Sequence, residues 1–191
     1  MKVAYIEAGW HREIIEQGKY AFVENLRELN EEIEVEFFEA PGSLEIPLLA
    51  KLLAEKGDYE AIVCAGLIVN GGIYRHEFVA TAVINGISAV SLECKIPVLS
   101  MVLTPINFNE NESIAYDKNA PSLTSEEIHH FATFGLVQPF SEEAVSGDIN
   151  IPKTPTLKTK EFFFRHFRLK GQELAKATVR AIELVNIIRE K

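Results

Sequence analysis

The chain contains 191 residues, of which 47% are hydrophobic and 25% are charged. This balance suits one globular domain, residues 1–191, with a sizeable core, and it excludes a disordered chain. The formal net charge of -9 and the pI near 5.1 exclude general affinity for nucleic acid or for an anionic membrane, because binding to a polyanion requires a basic surface.

The first half of the chain alternates strands and helices. Alternating or continuous apolar runs predict strands over residues 2–8, 33–39, 61–69 and 96–103. Apolar residues at helical spacing predict helices over residues 12–29, 44–56 and 73–93. Right-handed crossovers then give an α/β fold, with a four-stranded parallel sheet flanked by helices on both faces.

The turns after the first two strands carry candidate ligand-binding residues. Trp10, the only tryptophan, follows the first strand, where its ring either stacks on a planar ligand or caps the rim of the core. After the second strand, Pro41 and Gly42 end the sheet, and Ser43 is the predicted N-cap of the next helix. Glu45 then lies near a helix start, where a carboxylate complements the helix dipole or contacts a ligand.

Residues 61–79 form the strongest candidate for a ligand site. The apolar strand breaks at Asn-Gly-Gly, residues 70–72, and leads into a helix with His76 in its first turn. Glycine and a helix N-terminus together admit an anion to the backbone at a strand end. The dipole disfavours a protonated imidazole, so His76 could relay a proton near neutral pH. An ordinary turn with a surface histidine is the alternative.

The helix predicted over residues 73–93 is apolar on most of its surface, so it is buried either centrally or against a partner subunit. Residues 161–167 are unusually aromatic and either cover the core or face a neighbour. An apolar stripe predicts a closing helix over residues 170–189. Together these features favour an oligomer over a monomer.

The segment 106–161 separates the fourth strand from the closing helix. It contains a polar stretch (107–119), a predicted helix (124–134) and a region rich in proline, threonine and lysine (148–160). His129 and His130 are adjacent and lack further ligands at suitable spacing, so we interpret them as surface residues and not as a metal site.

Cysteine usage and the lack of targeting signals favour a cytoplasmic protein. Cys64 lies in a predicted strand and Cys94 near a predicted helix end, so we expect reduced thiols and neither a disulfide nor a metal site. The sequence shows no signal peptide, no continuous apolar run of membrane-spanning length and no internal repeat.

Four stretches of the chain, in this order, resemble lumazine synthase, the penultimate enzyme of riboflavin biosynthesis. They are PGSLEIPLLAKLLAEKG, GGIYRHEFVATAVINGISAVSLE, IPVLSMVLTP and RLKGQELA. GGIYRHEFVA, together with the Trp10-His11 pair, is similar to the type II branch, which forms decamers and not icosahedral shells. The resemblance covers residues 3–108 and 161–188 and implies a flavodoxin-like three-layer sandwich.

The resemblance implies a pyrimidine site built from three segments. Its residues are Trp10, Ser43, Leu44, Glu45, Leu67, Ile68 and Val69. Trp10 matches the aromatic residue that stacks on the ring, the 43–45 turn matches the one that holds the ring edge and the ribityl chain, and the backbone of 67–69 matches the strand end that binds the pyrimidine. Leu44 departs from the aromatic residue often found there.

The resemblance also implies a phosphate loop and a catalytic histidine. Gly71, Gly72 and Ile73 match the loop, and His76 matches the histidine. Asn70 replaces an acidic residue expected in the type II branch.

Basic residues near the phosphate are implied less directly. Lys170 matches a lysine that the neighbouring subunit contributes in this family. The arginine that clamps the phosphate in the icosahedral branch falls at Phe162, and Arg168 or Arg165 could substitute for it.

The implied reaction joins 5-amino-6-(D-ribitylamino)uracil to 3,4-dihydroxy-2-butanone 4-phosphate by imine formation, phosphate elimination and ring closure, without a metal or organic cofactor. His76 would shuttle protons beside the phosphate, and Glu45 would orient the polar substrate. The implied assembly is a pentamer or a pair of pentamers, with active sites between subunits.

The family has a short connection where this chain has residues 106–161, so we interpret this segment as an insertion: a lid, an added subunit contact or an engineered graft. A non-catalytic relative that binds flavin or lumazine, or that serves as an assembly scaffold, is the alternative function.

Overall fold

Strands and helices alternate along residues 1–69, 75–105 and 159–191, which are the residues that a computed structural model describes. The strands are β1 (Lys2–Ala8), β2 (Glu34–Ala40), β3 (Ala61–Leu67) and β4 (Val98–Leu103). The helices are α1 (Arg12–Leu29), α2 (Ile46–Lys56), α3 (His76–Cys94) and α4 (Thr159–Arg189).

The four strands form one parallel sheet in the order β2-β1-β3-β4. In the register, Lys2 of β1 lies opposite Glu34 of β2, and Ile62 of β3 lies opposite Val98 of β4. α1 and α4 pack against each other on one face of the sheet, and α2 and α3 pack on the other. Every residue of β3 is buried, which explains its continuous apolar run. The predicted α/β three-layer sandwich of the flavodoxin-like type is confirmed.

The turn after β2 differs from the prediction. Residues Ser43–Glu45 form a 3-10 turn, and α2 begins at Ile46 with Pro47 in its first turn. The prediction that Ser43 caps α2 is wrong, because the backbone carbonyl of Ser43, and not its hydroxyl, accepts the N–H of Ile46. The end of β3 also lies earlier than predicted, at Leu67.

α4 is longer than predicted, because the aromatic run belongs to it. The helix begins at Thr159 and not at Lys170, so the last three residues of the segment 106–161 are helical. Phe163 and Phe167 are spaced one helical turn apart and join the buried core, as do Phe162 and Phe164. Of the two alternatives for this aromatic run, covering the core and facing a neighbour, the structure shows the first. Residues 106–158, with the predicted helix 124–134 and His129-His130, lie outside the described residues.

The backbones of α1 and α4 lie close together at Gly18 and Gly171. A methyl group on Gly171 would contact the carbonyl oxygen of Gly18 and would lie 3.0 Å from the backbone nitrogen of Phe22. On the other side, a methyl group on Gly18 would lie 2.8 Å from the thioether sulfur of Met101 in β4. The two backbones can meet only because neither position carries a side chain.

α3 is apolar and mostly uncovered in the single chain. By length and composition alone α3 could cross a membrane, although the sequence contains no continuous apolar run of that length. Only 17% of its most apolar stretch is buried, although it packs against α2 and β4. Phe78, Ile84 and Leu92 are exposed. Central burial is therefore the wrong explanation for its composition, and cover by a partner subunit stays a prediction.

Both cysteines are free thiols in the described structure. Cys64 is buried in β3, and burial raises the pKa of its thiol to about 12. Within residues 1–69, 75–105 and 159–191, no group of three or more histidine, cysteine, aspartate or glutamate side chains could hold a metal ion.

Lys95, at the end of α3, adopts the left-handed conformation with φ 55° and ψ 39°. A non-glycine residue pays about 1–2 kcal/mol for this backbone, which glycine adopts freely. Lys95→Gly is therefore expected to stabilise the fold by about 1 kcal/mol and to raise the Tm in thermal denaturation by about 2–4 °C. Lys95→Ala retains the strain and is the matched control. An equal rise in Tm for the alanine variant would contradict this explanation.

Candidate active site

The carboxyl edge of the sheet brings together four segments in which the sequence predicts site residues. Trp10 follows β1, the 3-10 turn follows β2, Leu67 ends β3 with Ile68 and Val69 directly after it, and His76 begins α3. Parallel strands place their carboxyl ends at one edge, where open α/β sheets bind ligands. The fold therefore supplies the juxtaposition that the prediction requires. The predicted phosphate loop, Gly71, Gly72 and Ile73, lies outside the described residues.

The turn after β2 reaches across the end of β1 to β3. β1 lies between these strands, yet a methyl group on Gly66 of β3 would lie 2.9 Å from Ser43 Oγ. The Glu45 carboxylate folds back over its own turn, since its Oε2 would lie 3.2 Å from a methyl group on Gly42. Leu44 is exposed beside them. Ser43 thus lies against the carboxyl end of β3, and Leu44 and Glu45 follow it in the same turn.

Trp10 projects from the turn between β1 and α1. It is 72% exposed, so its ring does not cap the core of a single chain. His11 follows in the left-handed conformation with φ 56° and ψ 36°. The His11 carbonyl accepts the N–H groups of Ile14 at 3.0 Å and Ile15 at 3.2 Å, so α1 begins immediately after Trp10. The ring is available to a planar ligand at the sheet edge.

The end of β3 can contact a ligand only through its backbone. The side chains of Leu67 and Ile68 are buried in the core, and Val69 packs against it. The Ile68 N–H donates to the carbonyl oxygen of Leu103 at 2.9 Å, which ties this end of β3 to β4. A ligand here would therefore meet main-chain groups that the sheet holds in fixed positions.

His76 is the first residue of α3 and is only 7% exposed, so the alternative of a surface histidine is wrong. Its Nδ1 is buried and has no hydrogen-bond partner among the described residues. Glu77 Oε2 lies 3.5 Å from this nitrogen, a distance at which a carboxylate attracts an imidazolium without a well-formed hydrogen bond. A buried imidazole with one unsatisfied nitrogen is typical of a group that binds a ligand or exchanges a proton.

Charged side chains flank His76 at the start of α3. The backbone N–H of Glu77, followed by the charges of His76 and Arg75, lowers the pKa of the Glu77 carboxyl below its usual value. The Arg75 guanidinium lies 3.7 Å from this carboxylate and 5.1 Å from the ring centroid of Phe78. Both Arg75 and Phe78 are exposed, so the entrance to the helix terminus has one cationic and one aromatic surface.

Arg168 and Lys170 are not beside His76 within one chain. α4 starts near the carboxyl edge, where Lys160 Nζ lies 3.5 Å from Glu13 Oε1 in the first turn of α1. Lys170 is ten residues further on, about 15 Å along the helix, and its Nζ lies 2.7 Å from Glu173 Oε2. The single chain therefore does not bring these predicted phosphate-binding residues to the site.

Phe162 and His166 stack on each other in the buried part of α4. Their ring centroids are 5.3 Å apart, and their planes differ by 13°. Burial, followed by the positive charge of Lys170, lowers the pKa of His166 to about 4, so this imidazole is neutral at neutral pH. Phe162, where the resemblance implies a phosphate-clamping arginine, is thus a core aromatic residue. Arg165, an alternative for that role, is itself 8% exposed.

Two contacts that no sequence motif predicts hold the Trp10 turn in place. Arg12 Nη1 donates to Glu39 Oε2 at 2.9 Å, and the Gly9 N–H donates to the carbonyl oxygen of Ala40 at 2.9 Å. The first contact joins the start of α1 to the end of β2, and the second joins the residue after β1 to the end of β2. Only the strand register, which pairs Glu7 with Glu39, could have predicted them.

Comparison with known proteins identifies a family. The family model for 6,7-dimethyl-8-ribityllumazine synthase matches residues 1–130. A 6,7-dimethyl-8-ribityllumazine synthase of Rhodococcus erythropolis is 42% identical over 159 residues, which are 83% of this chain and 94% of that protein.

Several relatives are named 6,7-dimethyl-8-ribityllumazine synthase 2. The one from Pseudomonas syringae pv. tomato is 35% identical over 189 residues, covering 98% of this chain and 85% of the relative. The one from Bradyrhizobium diazoefficiens is 49% identical over 116 residues, covering 61% of this chain and 69% of the relative.

Proposed function

Because the chain belongs to the 6,7-dimethyl-8-ribityllumazine synthase family, we propose that it condenses 5-amino-6-(D-ribitylamino)uracil with 3,4-dihydroxy-2-butanone 4-phosphate at the carboxyl edge of its sheet. The pyrimidine amine attacks the ketone and forms an imine with loss of one water, phosphate is eliminated, and ring closure with loss of a second water gives the lumazine. The chain is then a transferase of riboflavin biosynthesis, and the proposed reaction uses no metal or organic cofactor.

The observation that carries this proposal is the buried imidazole of His76 at the N-terminus of α3. Its Nδ1 has no hydrogen-bond partner among the described residues, and it opens the helix that follows the predicted phosphate loop. Imine formation and phosphate elimination both require protons to be taken up and returned at neighbouring atoms. We therefore assign the proton relay to His76.

The pyrimidine is assigned to the space between the first two strand ends and β3. Trp10 stacks on the heterocycle, because its exposed indole offers a flat apolar surface beside the turn after β2. Ser43 and Glu45 hold the polar ring edge and the ribityl hydroxyls, and their turn already lies over β3. The backbone at Leu67 and Ile68 orients the ring, since their side chains are committed to the core.

The phosphate is assigned to the N-terminus of α3. The positive end of the helix dipole favours an anion there. Gly71, Gly72 and Ile73 are proposed to form the loop that surrounds it. Lys170 and Arg168 are proposed to reach the phosphate of a neighbouring subunit, since the helix that carries them takes them away from His76 in their own chain.

We propose that the chain assembles as a pentamer or as a pair of pentamers. α2 and α3 present exposed apolar side chains on one side of the sheet; they include Leu48, Leu52, Phe78, Ile84 and Leu92. A monomer seldom exposes so much apolar surface on adjacent helices, whereas a subunit interface covers it. In this assembly each active site lies between two subunits.

The segment 106–161 is proposed to be an insertion that begins where β4 reaches the active-site edge. A short family-type connection would join β4 to α4 directly, so the segment is positioned to act as a lid or an added subunit contact. We also propose a cytoplasmic location, which agrees with the free thiols of Cys64 and Cys94.

The proposal is tested by turnover of the two purified substrates, followed by the absorbance of the lumazine product. Trp10 is the only tryptophan, so quenching of intrinsic fluorescence by the pyrimidine measures binding on the same sample. We expect saturable quenching and product formation. Quenching without product would indicate a non-catalytic binding relative, and absence of both would refute the proposed site.

A further inference from the structure

We propose that Arg12 and Glu39 form a positioning clamp that holds the Trp10 turn against the end of β2. This inference rests on the proposed function, in which Trp10 stacks on the pyrimidine and the following turn holds the ring edge. The Arg12 side chain binds two carboxylates at once. Its Nη1 donates to Glu39 Oε2 at 2.9 Å, and its Nε donates to Glu16 Oε1 at 3.1 Å.

The clamp joins two elements that each carry part of the proposed site. Arg12 is the first residue of α1, two positions after Trp10. Glu39 is the penultimate residue of β2, four positions before Ser43. The distance between the Trp10 indole and the turn that holds the edge of the pyrimidine therefore depends on how firmly these two chain segments are joined.

A backbone bond and a strained residue hold the same turn. The Gly9 N–H donates to the Ala40 carbonyl oxygen at 2.9 Å, immediately before Trp10. His11, immediately after Trp10, adopts a left-handed backbone that costs a non-glycine residue of the order of 1–2 kcal/mol. Strain of this kind persists only where surrounding contacts enforce it, and the Arg12 clamp is one such contact.

Trp10 itself contributes little to its own placement. At 72% exposure its ring has few packing partners in the chain, so the backbone of its turn determines where it points. The side chains of Arg12 and Glu39 are both about half exposed, at 52% and 53%, and exposed ion pairs add little to global stability. The effect of the clamp is consequently local: it restricts the motion of the stacking ring.

The guanidinium geometry makes arginine specific for this role. A planar fork can bridge Glu16 and Glu39 in a fixed orientation, whereas a lysine ammonium on a flexible stem cannot hold both in the same way. We therefore expect Arg12→Lys to fall between the parent chain and Arg12→Gln.

The experiment compares the full-length chain with Arg12→Gln, Arg12→Lys and Glu39→Gln. Steady-state anisotropy of the single tryptophan reports the motion of Trp10 directly, and steady-state kinetics gives KM and kcat for the pyrimidine. We expect lower anisotropy and a KM raised about two- to fivefold in Arg12→Gln, with kcat within twofold, as an exposed ion pair allows. Arg27→Gln, in the last turn of the same helix, is the matched control.

Each contrary outcome identifies the error. Unchanged anisotropy and KM in Arg12→Gln would overturn the clamp, as would equal changes in Arg27→Gln. A lower kcat at constant KM would make Arg12 part of the chemistry, and altered assembly in size-exclusion chromatography would make it an interface residue; either result overturns the proposal. If the parent chain shows no turnover, the proposed function fails, and the anisotropy still decides whether the clamp exists.

Discussion

His76→Gln is expected to lower turnover by about 10²- to 10⁴-fold, the range typical of a lost general acid-base group. Glutamine approximates the size of imidazole and can still make a hydrogen bond, but it cannot exchange a proton near neutral pH. Because His76 is only 7% exposed, this variant avoids the cavity that His76→Ala would leave. Product formation from the two purified substrates measures the effect.

The distinction between a catalytic and a structural His76 comes from binding and assembly. If His76 relays protons, His76→Gln should bind the pyrimidine with parental affinity, as measured by quenching of Trp10 fluorescence. It should also elute at the parental size in size-exclusion chromatography. His76→Ala is expected to show the same loss of turnover with the same assembly. Turnover within a few fold of the parent would remove His76 from the chemistry, and loss of assembly would show that its role is structural.

Gly171→Ala is expected to destabilise the fold by about 2–4 kcal/mol, which lowers the Tm by about 4–16 °C in a chain of this length. The added methyl group would contact the Gly18 carbonyl oxygen. Backbone atoms cannot rotate away as a flexible side chain can, so α1 and α4 would have to separate along their crossing. Thermal and urea denaturation measure the loss.

Alanine substitutions at two other glycines distinguish the free-energy cost of a packing clash from the cost of an unfavourable backbone conformation. Gly18→Ala would direct its methyl group mainly at the thioether of Met101, which can move, so a smaller loss of about 1–2 kcal/mol is expected. Gly57→Ala, at φ 77° with open space around it, costs about 1 kcal/mol through conformation alone. A loss in Gly171→Ala no larger than in Gly57→Ala would mean that the helix crossing opens freely.

The sheet and its two helix layers could be predicted because each element carries its own periodicity. β3 is recognisable as a strand covered on both faces, since its seven residues, AIVCAGL, are all buried. The juxtaposition of Trp10, the 3-10 turn and His76 followed from topology alone, because parallel strands place their ends together. The resemblance to the family then gave these residues roles that neither periodicity nor spacing contains.

The features that could not be predicted depend on contacts between distant parts of the chain. The three consecutive phenylalanines, Phe162–Phe164, obscure the helical period, and only their packing into the core makes the start of α4 evident. The Arg12–Glu39 contact joins positions 27 residues apart and requires the β1–β2 register. Likewise, the position of Lys170 relative to the candidate site depends on the direction in which α4 runs, which the sequence does not predict.

The direction of β1 and α4 also determines where a label or surface attachment can be placed. The Met1 amino group lies 3.4 Å from the Glu32 carbonyl oxygen, just before β2, and Arg189 Nη2 donates to the Lys95 carbonyl oxygen at 2.7 Å, just before β4. Both ends of the described chain thus lie at the amino edge of the sheet, opposite Trp10 and His76. An affinity tag or immobilising linker at either end leaves the substrate entrance of that chain unobstructed, so immobilised protein can be used for the binding measurements.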